Sequence, residues 1–302
     1  MKSSNLKKNI HDFSLWTALI TPLTENDTLD VKSLQVLLKE QAAAHNGLLL
    51  LGSTGEALNL NLDEKKTILK IALEQNFPVP IMVGVSGHNI QESSAWMRYL
   101  ETLDVDCYLM PTPIYAKPGE EGQYQWFKTL MDLSSRPVML YNIPGRAGIA
   151  LNHNTAKRLA KHPNAWAIKE ASGSNLEFSR YREDAPQLKI FSGDDGMLPG
   201  HASLGAAGLI SVASNVWPAE TNLYTKMSLE LKITPETVEG KMWQKASDSL
   251  FTASNPIPAK AILHRLGRIS SNKMRLPLSA LDLKSTELLE ESDREIRKWF
   301  TK

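Results

Sequence analysis

The stretch AWAIKEASG, residues 165–173, begins as a strand buried on both faces and ends on two charged residues. Ala165 to Ile168 form the continuous apolar run that is typical of a strand in a parallel sheet with helices on both sides. Lys169 and Glu170 follow at once, although a buried ammonium group is unfavourable unless it is paired or loses its proton. The stretch therefore predicts an α/β fold in which one strand ends on an unusual amine.

Short β-rich runs of this kind occur eight times, and an amphipathic stretch follows each of them. The predicted strands are 15–20, 48–53, 80–85, 107–111, 137–142, 165–171, 189–194 and 208–212. Eight alternating strands and helices predict a (β/α)8 TIM barrel over residues 1–232. The alternative, a doubly wound open sheet, needs fewer strands and usually a glycine-rich fingerprint after the first one, which TALITPLTEND (17–27) does not supply.

Three local signals predict where helices begin or end. Gly47 is expected to stop the first helix, and Asn61 and Glu64 have the spacing of a capping box. After the barrel the alternation stops, and TPET (234–237) predicts a helix with Thr234 as N-cap and a proline at its first position. Residues 233–302 are therefore expected to form a C-terminal helical extension, too small for a typical independent domain.

Composition excludes several classes of partner. The 302 residues are 42% hydrophobic and 22% charged with a net charge of +1, which is typical of a globular protein and gives no reason to expect nucleic acid or an anionic membrane. No apolar run approaches the roughly 20 residues of a membrane span. The single cysteine, Cys107, fits a reducing cytoplasm, and the histidine spacing predicts no metal site.

Polar residues gather at the predicted strand ends, where this fold places its active site. Ser53 and Thr54 follow the second strand, Tyr115 follows the fourth and Tyr141 ends the fifth. Lys169 shares one face of the sixth strand with Ala165 and Ala167, whereas Trp166 and Ile168 share the other. Because large apolar side chains are expected against the outer helices, Lys169 should point into the barrel.

Each of these residues also has an ordinary structural interpretation. Lys169 could pair with Glu170, although neighbours in a strand point to opposite faces. Tyr141 could be a core residue with its hydroxyl at the rim, and GSTGE (52–56) could be a simple turn. Together, however, a desolvated amine, a phenol and a loop of hydroxyls and amides are the groups that Schiff-base chemistry needs: a lysine of lowered pKa as nucleophile, a proton shuttle and donors for a carboxylate.

Longer motifs at the same places resemble a known family. GSTGEALNL (52–60), YNIPGRAG (141–148), AIKEASG (167–173) and SGDDG (192–196) are similar to signatures of the dihydrodipicolinate synthase family, and NPIPAKAILHRLG (255–267) and MRLPLSAL (274–281) extend the resemblance into the tail. The family belongs to the class I aldolase superfamily. The resemblance implies a lyase that condenses pyruvate with L-aspartate 4-semialdehyde to 4-hydroxy-tetrahydrodipicolinate, in the diaminopimelate route to lysine, without metal, nicotinamide or flavin.

The resemblance also assigns catalytic roles. Lys169 matches the amine that forms an imine with pyruvate, and Tyr141 matches the phenol that relays protons. Thr54 matches the threonine that links this phenol to a second tyrosine. That tyrosine matches Tyr115, which in the family reaches in from a neighbouring subunit, so a homo-oligomer, dimer or tetramer, is expected.

The resemblance assigns the remaining matched positions to the substrates and to the lysine pocket. The amides of Ser53 and Thr54 would hold the carboxylate of pyruvate, in keeping with a turn that leads towards a helix N-terminus. Arg146 matches the arginine that holds the carboxylate of the second substrate and positions the intersubunit tyrosine. Gly193 and the carbonyl of Ile210 match positions that line the lysine pocket.

Two other functions stay open at this stage. An N-acetylneuraminate lyase or a 2-keto-3-deoxy sugar acid aldolase would share Lys169, Tyr141 and the GSTGE loop. Arg146 favours the dihydrodipicolinate synthase family, because sialic acid lyases typically lack arginine there. A barrel that has lost catalysis and only binds is disfavoured by the complete set of lysine, tyrosines, threonine and arginine.

The resemblance bears on regulation as well. In lysine-inhibited members of the family, L-lysine binds at the dimer interface, where a tyrosine, a histidine, a glutamate and an asparagine help to hold it. The matching positions here are Ile114, Leu62, Ser93 and Asn89, so only the asparagine is retained. Losing one charge-assisted contact costs roughly 1.5–3 kcal/mol. Glu92, one position from Ser93, is the residue placed to compensate.

We therefore expect this chain to be insensitive, or only weakly sensitive, to L-lysine at concentrations that shut down inhibited relatives. The physical reason is that the ammonium groups of a free amino acid need an anionic partner once they are desolvated. A steady-state titration with L-lysine measures the effect. Strong partial or complete inhibition at sub-millimolar L-lysine would contradict this expectation.

Overall fold

Eight parallel strands close into a barrel in a computed structural model that describes residues 8–301. Each strand pairs with the next along the chain, and the last pairs with the first. The strands are β1 (Leu15–Ala18), β2 (Gly47–Leu50), β3 (Ile81–Gly84), β4 (Cys107–Pro111), β5 (Val138–Asn142), β6 (Ala165–Glu170), β7 (Lys189–Ser192) and β8 (Gly208–Ser211). The predicted TIM barrel is confirmed.

The helices surround this barrel and continue into the tail. They are α1 (Val31–Ala43), α2 (Leu62–Glu74), α3 (Ile90–Leu100), α4 (Glu120–Met131), α5 (Pro144–Ala147), α6 (His153–Leu159), α7 (Asn175–Asp184), α8 (Leu198–Ser203), α9 (Pro218–Leu229), α10 (Val238–Ser249), α11 (Ile257–Arg265) and α12 (Glu287–Phe300). Between residues 8 and 301, no helix combines the length and the apolar character needed to cross a membrane.

The helical extension packs on the barrel through aromatic side chains. The ring of Trp243 on α10 stacks on Tyr224 of α9, with centroids 4.3 Å apart, and meets Trp217 edge-on. The indole nitrogen of Trp217 donates to Asp293 on α12 over 2.9 Å. The extension is therefore helical as predicted, while the domain boundary at residue 232 stays a prediction.

Two helix ends differ from the sequence-based prediction, and one agrees with it. The capping box is present, because Asn61 and Glu64 each accept the backbone N–H of the other. Gly47 does not end α1: it opens β2, where a Cβ would lie 2.6 Å from the Trp16 ring. Thr237, not Thr234, caps α10 by accepting the N–H of the residue three positions on, and its own hydroxyl donates to the Thr234 carbonyl.

One strand departs from simple alternation. The register between β5 and β6 skips Trp166, which therefore forms a bulge. The Trp166 ring lies 5.9 Å from that of Trp16 on β1 and 5.6 Å from that of Phe191 on β7. Since β1 and β6 are not neighbours, these rings meet inside the barrel, and the prediction that Trp166 faces the outer helices is wrong. Lys169 lies beyond the bulge, in register with Phe191, so its predicted inward direction is unaffected.

A buried ion pair joins the extension to the loop after β2. The ammonium of Lys260 on α11 donates to the Glu56 carboxylate over 2.5 Å and to the Lys273 carbonyl over 2.9 Å. Both paired side chains are buried, at 0% and 2% exposure. Burial lowers the pKa of Lys260, and the Glu56 carboxylate opposes this change. The backbone N–H of Arg275 donates to the second Glu56 oxygen, so the carboxylate is held from two sides.

Lys260→Met should destabilise the protein by roughly 3–5 kcal/mol, because it leaves the Glu56 carboxylate buried without its counter-ion. The double variant Lys260→Met/Glu56→Gln should recover much of that loss, since no buried charge remains. Urea unfolding measures both. Lys70→Met, which breaks the exposed pair with Glu74, is the control and should cost less than about 1 kcal/mol. Equal losses in the single and double variants would contradict the proposed cause.

Candidate active site

An amine and a phenol meet at the carboxyl ends of β5 and β6. Lys169 and Tyr141 are partners in the register of these strands, and both side chains are only 6% exposed. The Lys169 Nζ lies 4.3 Å from the centroid of the Tyr141 ring. The structure therefore brings together the two residues that the sequence singled out as nucleophile and proton shuttle.

The residue next to the amine faces the other way. Glu170 is fully buried, and its carboxylate accepts from the Asn142 amide and from the backbone N–H of Ser172, each over 2.6 Å. Burial raises the pKa of Glu170, while these hydrogen bonds oppose the rise. Glu170 is thus satisfied by its own neighbours, as the alternation of the strand predicts, and Lys169 is left to the barrel interior.

Gly193, just after β7, leaves the space that the lysine side chain fills. A Cβ at this position would lie 2.8 Å from the Lys169 Cε and 2.5 Å from the Ala171 Cβ. Its backbone N–H donates to the Glu170 carbonyl over 2.7 Å, which fixes its approach to β6. Gly193 therefore lies against the Lys169 side chain, while its role in the lysine pocket stays a prediction.

The next residue is one that sequence reasoning missed. Burial raises the pKa of Asp194 to about 6, and the positive charge of Lys169 opposes this rise. Its Oδ2 atom is buried without a hydrogen-bond partner among residues 8–301. A second ionisable group thus lies close enough to the amine for their charges to interact, and the SGDDG motif was the signal available in the sequence.

The mouth above the amine is a cleft of about 320 Å³, which Tyr141 reaches but which Lys169 and Thr54 do not line. Ser53, Tyr141 and Arg146 line it, together with Pro277 and Leu278 from the extension. Within the described part of the chain, the backbone N–H groups of Ser53 and Thr54 donate no hydrogen bond. The N–H groups of Glu56 and Ala57, in contrast, donate to backbone carbonyls earlier in the same loop. The loop therefore has unpaired amide donors, one of them on a residue that lines the cleft, and binding a carboxylate requires such donors.

A side chain of the extension connects two of the predicted residues. The Asn255 amide donates to the Thr54 hydroxyl oxygen over 2.9 Å, and the Asn255 backbone carbonyl accepts from the Arg146 guanidinium over 3.0 Å. Thr54 is buried and Arg146 is exposed at the rim. Sequence reasoning included Asn255 in a family motif but gave it no role.

Tyr115 does not join the site of its own chain. Its side chain is 91% exposed, although its neighbour Ile114 lines the cleft. The backbone of Tyr115 is left-handed, with φ of 68°, and its N–H donates to the Ala147 carbonyl. Ile210 is buried in β8 opposite Trp16, and the contact of its carbonyl with the lysine pocket stays a prediction.

The residues expected to affect L-lysine binding lie in two different places. Leu62, Glu92 and Ser93 line a second cleft of about 490 Å³ between α2 and α3, whereas Ile114 lines the cleft above the amine. Asn89 caps α3 by accepting two backbone N–H groups. The sensitivity to L-lysine itself stays a prediction.

Comparison with known proteins gives one family along most of the chain. The sequence model of the dihydrodipicolinate synthetase family matches residues 13–293. The 4-hydroxy-tetrahydrodipicolinate synthases of Francisella tularensis subsp. novicida and of Wolbachia pipientis subsp. Culex pipiens are 45% and 44% identical, and the alignments cover 95% and 94% of this chain and 97% and 96% of theirs. The crystal structure of dihydrodipicolinate synthase from Thermotoga maritima superposes with a TM-score of 0.88 at 30% identity, covering 94% of this chain and 98% of that one.

Gly193→Ala should displace the Lys169 side chain, because the added methyl group would overlap its Cε atom. We expect a loss of at least about tenfold in the rate at which pyruvate and borohydride label Lys169, since a displacement near the reacting atoms is costly. Mass spectrometry of the labelled peptide measures it. Gly119→Ala, where a Cβ meets nothing within 4 Å, is the control. Wild-type labelling in the Gly193 variant would contradict the role of the glycine.

Proposed function

The chain belongs to the dihydrodipicolinate synthetase family, and from this membership and its site we propose that it condenses pyruvate with L-aspartate 4-semialdehyde to 4-hydroxy-tetrahydrodipicolinate, in the diaminopimelate route to lysine. The reaction is that of a class I aldolase-type lyase. The observation that carries the proposal is the amine of Lys169, buried in a closed barrel with its Nζ 4.3 Å from the Tyr141 ring.

Lysine is required because pyruvate is a poor carbon nucleophile. The neutral amine of Lys169 attacks the pyruvate carbonyl, water leaves, and the resulting iminium stabilises the enamine formed when the methyl group loses a proton. The enamine carbon adds to the aldehyde of the semialdehyde. The amino group of that substrate then attacks the imine carbon, which closes the ring and releases Lys169.

The protons in these steps need a carrier. We assign this role to Tyr141, with Thr54 linking it to Tyr115 of a second subunit. The free amides of Ser53 and Thr54 hold the carboxylate of pyruvate, and Arg146 at the rim holds that of the semialdehyde. Gly193 and Ile210 shape the pocket of the amine. Support for these roles is that Ser53, Tyr141 and Arg146 line one cleft.

The proposed enzyme works as a homo-oligomer of at least two chains in the cytoplasm. Tyr115 supports the first part, because a tyrosine that is 91% exposed in one chain can complete a site in another. Cys107 supports the second: it is the single cysteine of the chain and is buried, and unpaired thiols persist in reducing compartments.

The direct test is trapping of the covalent intermediate together with an activity assay. Borohydride added with pyruvate should leave a reduced pyruvyl adduct on the peptide that contains Lys169, and Lys169→Ala should fold but lose nearly all turnover. The wild-type protein should consume pyruvate with aspartate semialdehyde and not with a sugar aldehyde. An adduct on another lysine would refute the mechanism, and turnover of the sugar aldehyde alone would refute the substrate.

Arg146→Ala should raise KM for aspartate semialdehyde more than for pyruvate and should also lower kcat. A charge-assisted bidentate contact contributes roughly 1.5–3 kcal/mol, so we expect about a ten- to hundredfold loss in kcat/KM. Arg294→Ala, on the exposed face of α12, is the control. Unchanged kinetics for the semialdehyde would reopen the sugar-acid aldolase alternative.

Mixing inactive Tyr115→Phe and Lys169→Ala chains should restore activity. A hybrid dimer has one intact site and one doubly altered site, so random subunit exchange should give about a quarter of wild-type activity. Native mass spectrometry verifies the exchange. No recovery after verified exchange would mean that Tyr115 acts within its own chain or not at all.

A further inference from the structure

Asn255 links the extension to the catalytic loop in a way that the proposed chemistry does not yet use. It lies between α10 and α11 and is 5% exposed. Its Nδ2 donates to the Thr54 hydroxyl oxygen over 2.9 Å, and its backbone carbonyl, not its side chain, accepts from Arg146. Its Oδ1 is buried and has no partner among residues 8–301. The contact with Thr54 is thus the one hydrogen bond that this side chain makes there.

The surrounding chain holds this amide in place. The carbonyl of Pro256 accepts the N–H of Lys260, and the N–H of Ile257 donates to the Ser254 carbonyl, so the turn before α11 is hydrogen-bonded on both sides of Asn255. The side chain of Lys260 in turn forms the buried pair with Glu56, two residues after Thr54. Asn255 and Thr54 are therefore joined both directly and through a second, parallel contact.

This contact determines what the threonine hydroxyl can do. An amide nitrogen only donates, so the Thr54 oxygen must accept from it, and the single hydroxyl proton of Thr54 is left for a different acceptor. Donation into a hydroxyl oxygen also strengthens the O–H group as a donor, because hydrogen bonds in a chain polarise one another. Thr54 is consequently arranged as a donor to a group other than Asn255.

We propose that Asn255 is a positioning residue that fixes the direction of the proton relay, so that Thr54 donates to the phenol oxygen of the relay and stabilises its phenolate. This inference rests on the proposed function, in which Tyr141 accepts and returns protons. A phenol oxygen that accepts a hydrogen bond loses its own proton more readily, since the bond favours the charged form. Asn255 acts through Thr54 and has no contact with substrate in this account.

A double-mutant cycle tests this account: wild type, Asn255→Ala, Thr54→Val and the double variant. Asn255→Ala should lower kcat by about three- to tenfold, the value of one neutral hydrogen bond. The double variant should be no slower than Thr54→Val, because without the hydroxyl there is nothing to orient. If the kcat losses of Asn255→Ala and Thr54→Val multiply in the double variant, the proposal is overturned.

Two further readouts separate orientation from general damage. KM for aspartate semialdehyde should stay within about twofold in Asn255→Ala, because Arg146 is held by a backbone carbonyl that the substitution keeps. The limb of the kcat–pH profile that reports the phenol should move to higher pH. The reason is that the phenol oxygen no longer accepts a well-oriented hydrogen bond from Thr54. A rise in that KM matching the fall in kcat would mean that the segment is merely disordered, and would overturn the proposal.

The matched control is Asn46→Ala, a buried asparagine before β2, at the opposite end of the strand from Thr54. It should cost stability without moving the pH profile, and its effect should be independent of Thr54→Val. If Asn255→Ala does not fold, Asn255→Asp takes its place. The aspartate keeps the shape of the side chain, but its carboxylate accepts a hydrogen bond from the Thr54 hydroxyl instead of donating one. Asn255→Asp alone should lower kcat by more than about tenfold. Added to Thr54→Val, the same substitution should lower kcat much less.

Two reactions are measured for every variant of the cycle: condensation, and exchange of the pyruvate methyl protons with deuterated solvent. The exchange reaction requires the imine but not the second substrate. A wild-type protein that exchanges but does not condense would refute the proposed second substrate while the cycle still decides the role of Asn255. If the wild type catalyses both reactions but the kcat losses of the two single variants multiply in the double variant, only the role of Asn255 is refuted. A wild type inactive in both assays overturns both proposals.

Discussion

The buried pair between Glu56 and Lys260 is the contact on which the mouth of the barrel depends. Glu56 has left-handed backbone, with φ of 53°, which turns its carboxylate inward while the preceding residues present free amides to the cleft. Two desolvated charges tolerate little displacement, since each is costly without the other. The loop to which we assign the substrate carboxylate is therefore held by α11, so that the extension supports the proposed active site even though every strand end lies in the barrel.

The amine depends on a different constraint, which is space. The rings of Trp16 and Trp166 meet inside the barrel towards the amino ends of their strands, and the ring of Phe191, the register partner of Lys169, packs against Trp166. The Lys169 side chain therefore has room towards the mouth. There Gly193 provides the volume that any side chain would occupy. With aromatic rings below it and a glycine at position 193, the Lys169 side chain extends to place its amine by the Tyr141 ring.

The sequence predicted the elements better than the contacts between them. Apolar runs and capping signals such as Asn61 and Glu64 are local, and they gave the barrel and the start of α2. The bulge at Trp166 could not be predicted, because AWAI alternates normally and only its pairing with β5 reveals the extra residue. The role of Gly47 was missed for a similar reason: the Trp16 ring that excludes its Cβ is on another strand. Asn255 and Lys260 contact residues about two hundred positions away, and no spacing rule reaches that far.

The second cleft, between α2 and α3, lies beside the catalytic mouth and bears on regulation. It shares Ala57, Leu58 and Ser86 with the cleft above the amine, so a ligand bound there would touch the wall of the catalytic mouth. Glu92 is the carboxylate in its lining, one position from Ser93, which matches the glutamate of lysine-inhibited relatives. The charge of Glu92 already acts on an ammonium group of this chain, because burial lowers the pKa of Lys65 and Glu92 opposes that change. A free amino acid entering the cleft would have to compete with Lys65 for this carboxylate. Glu92 therefore already interacts electrostatically with Lys65, which weakens the compensation it could offer to the ammonium group of a ligand.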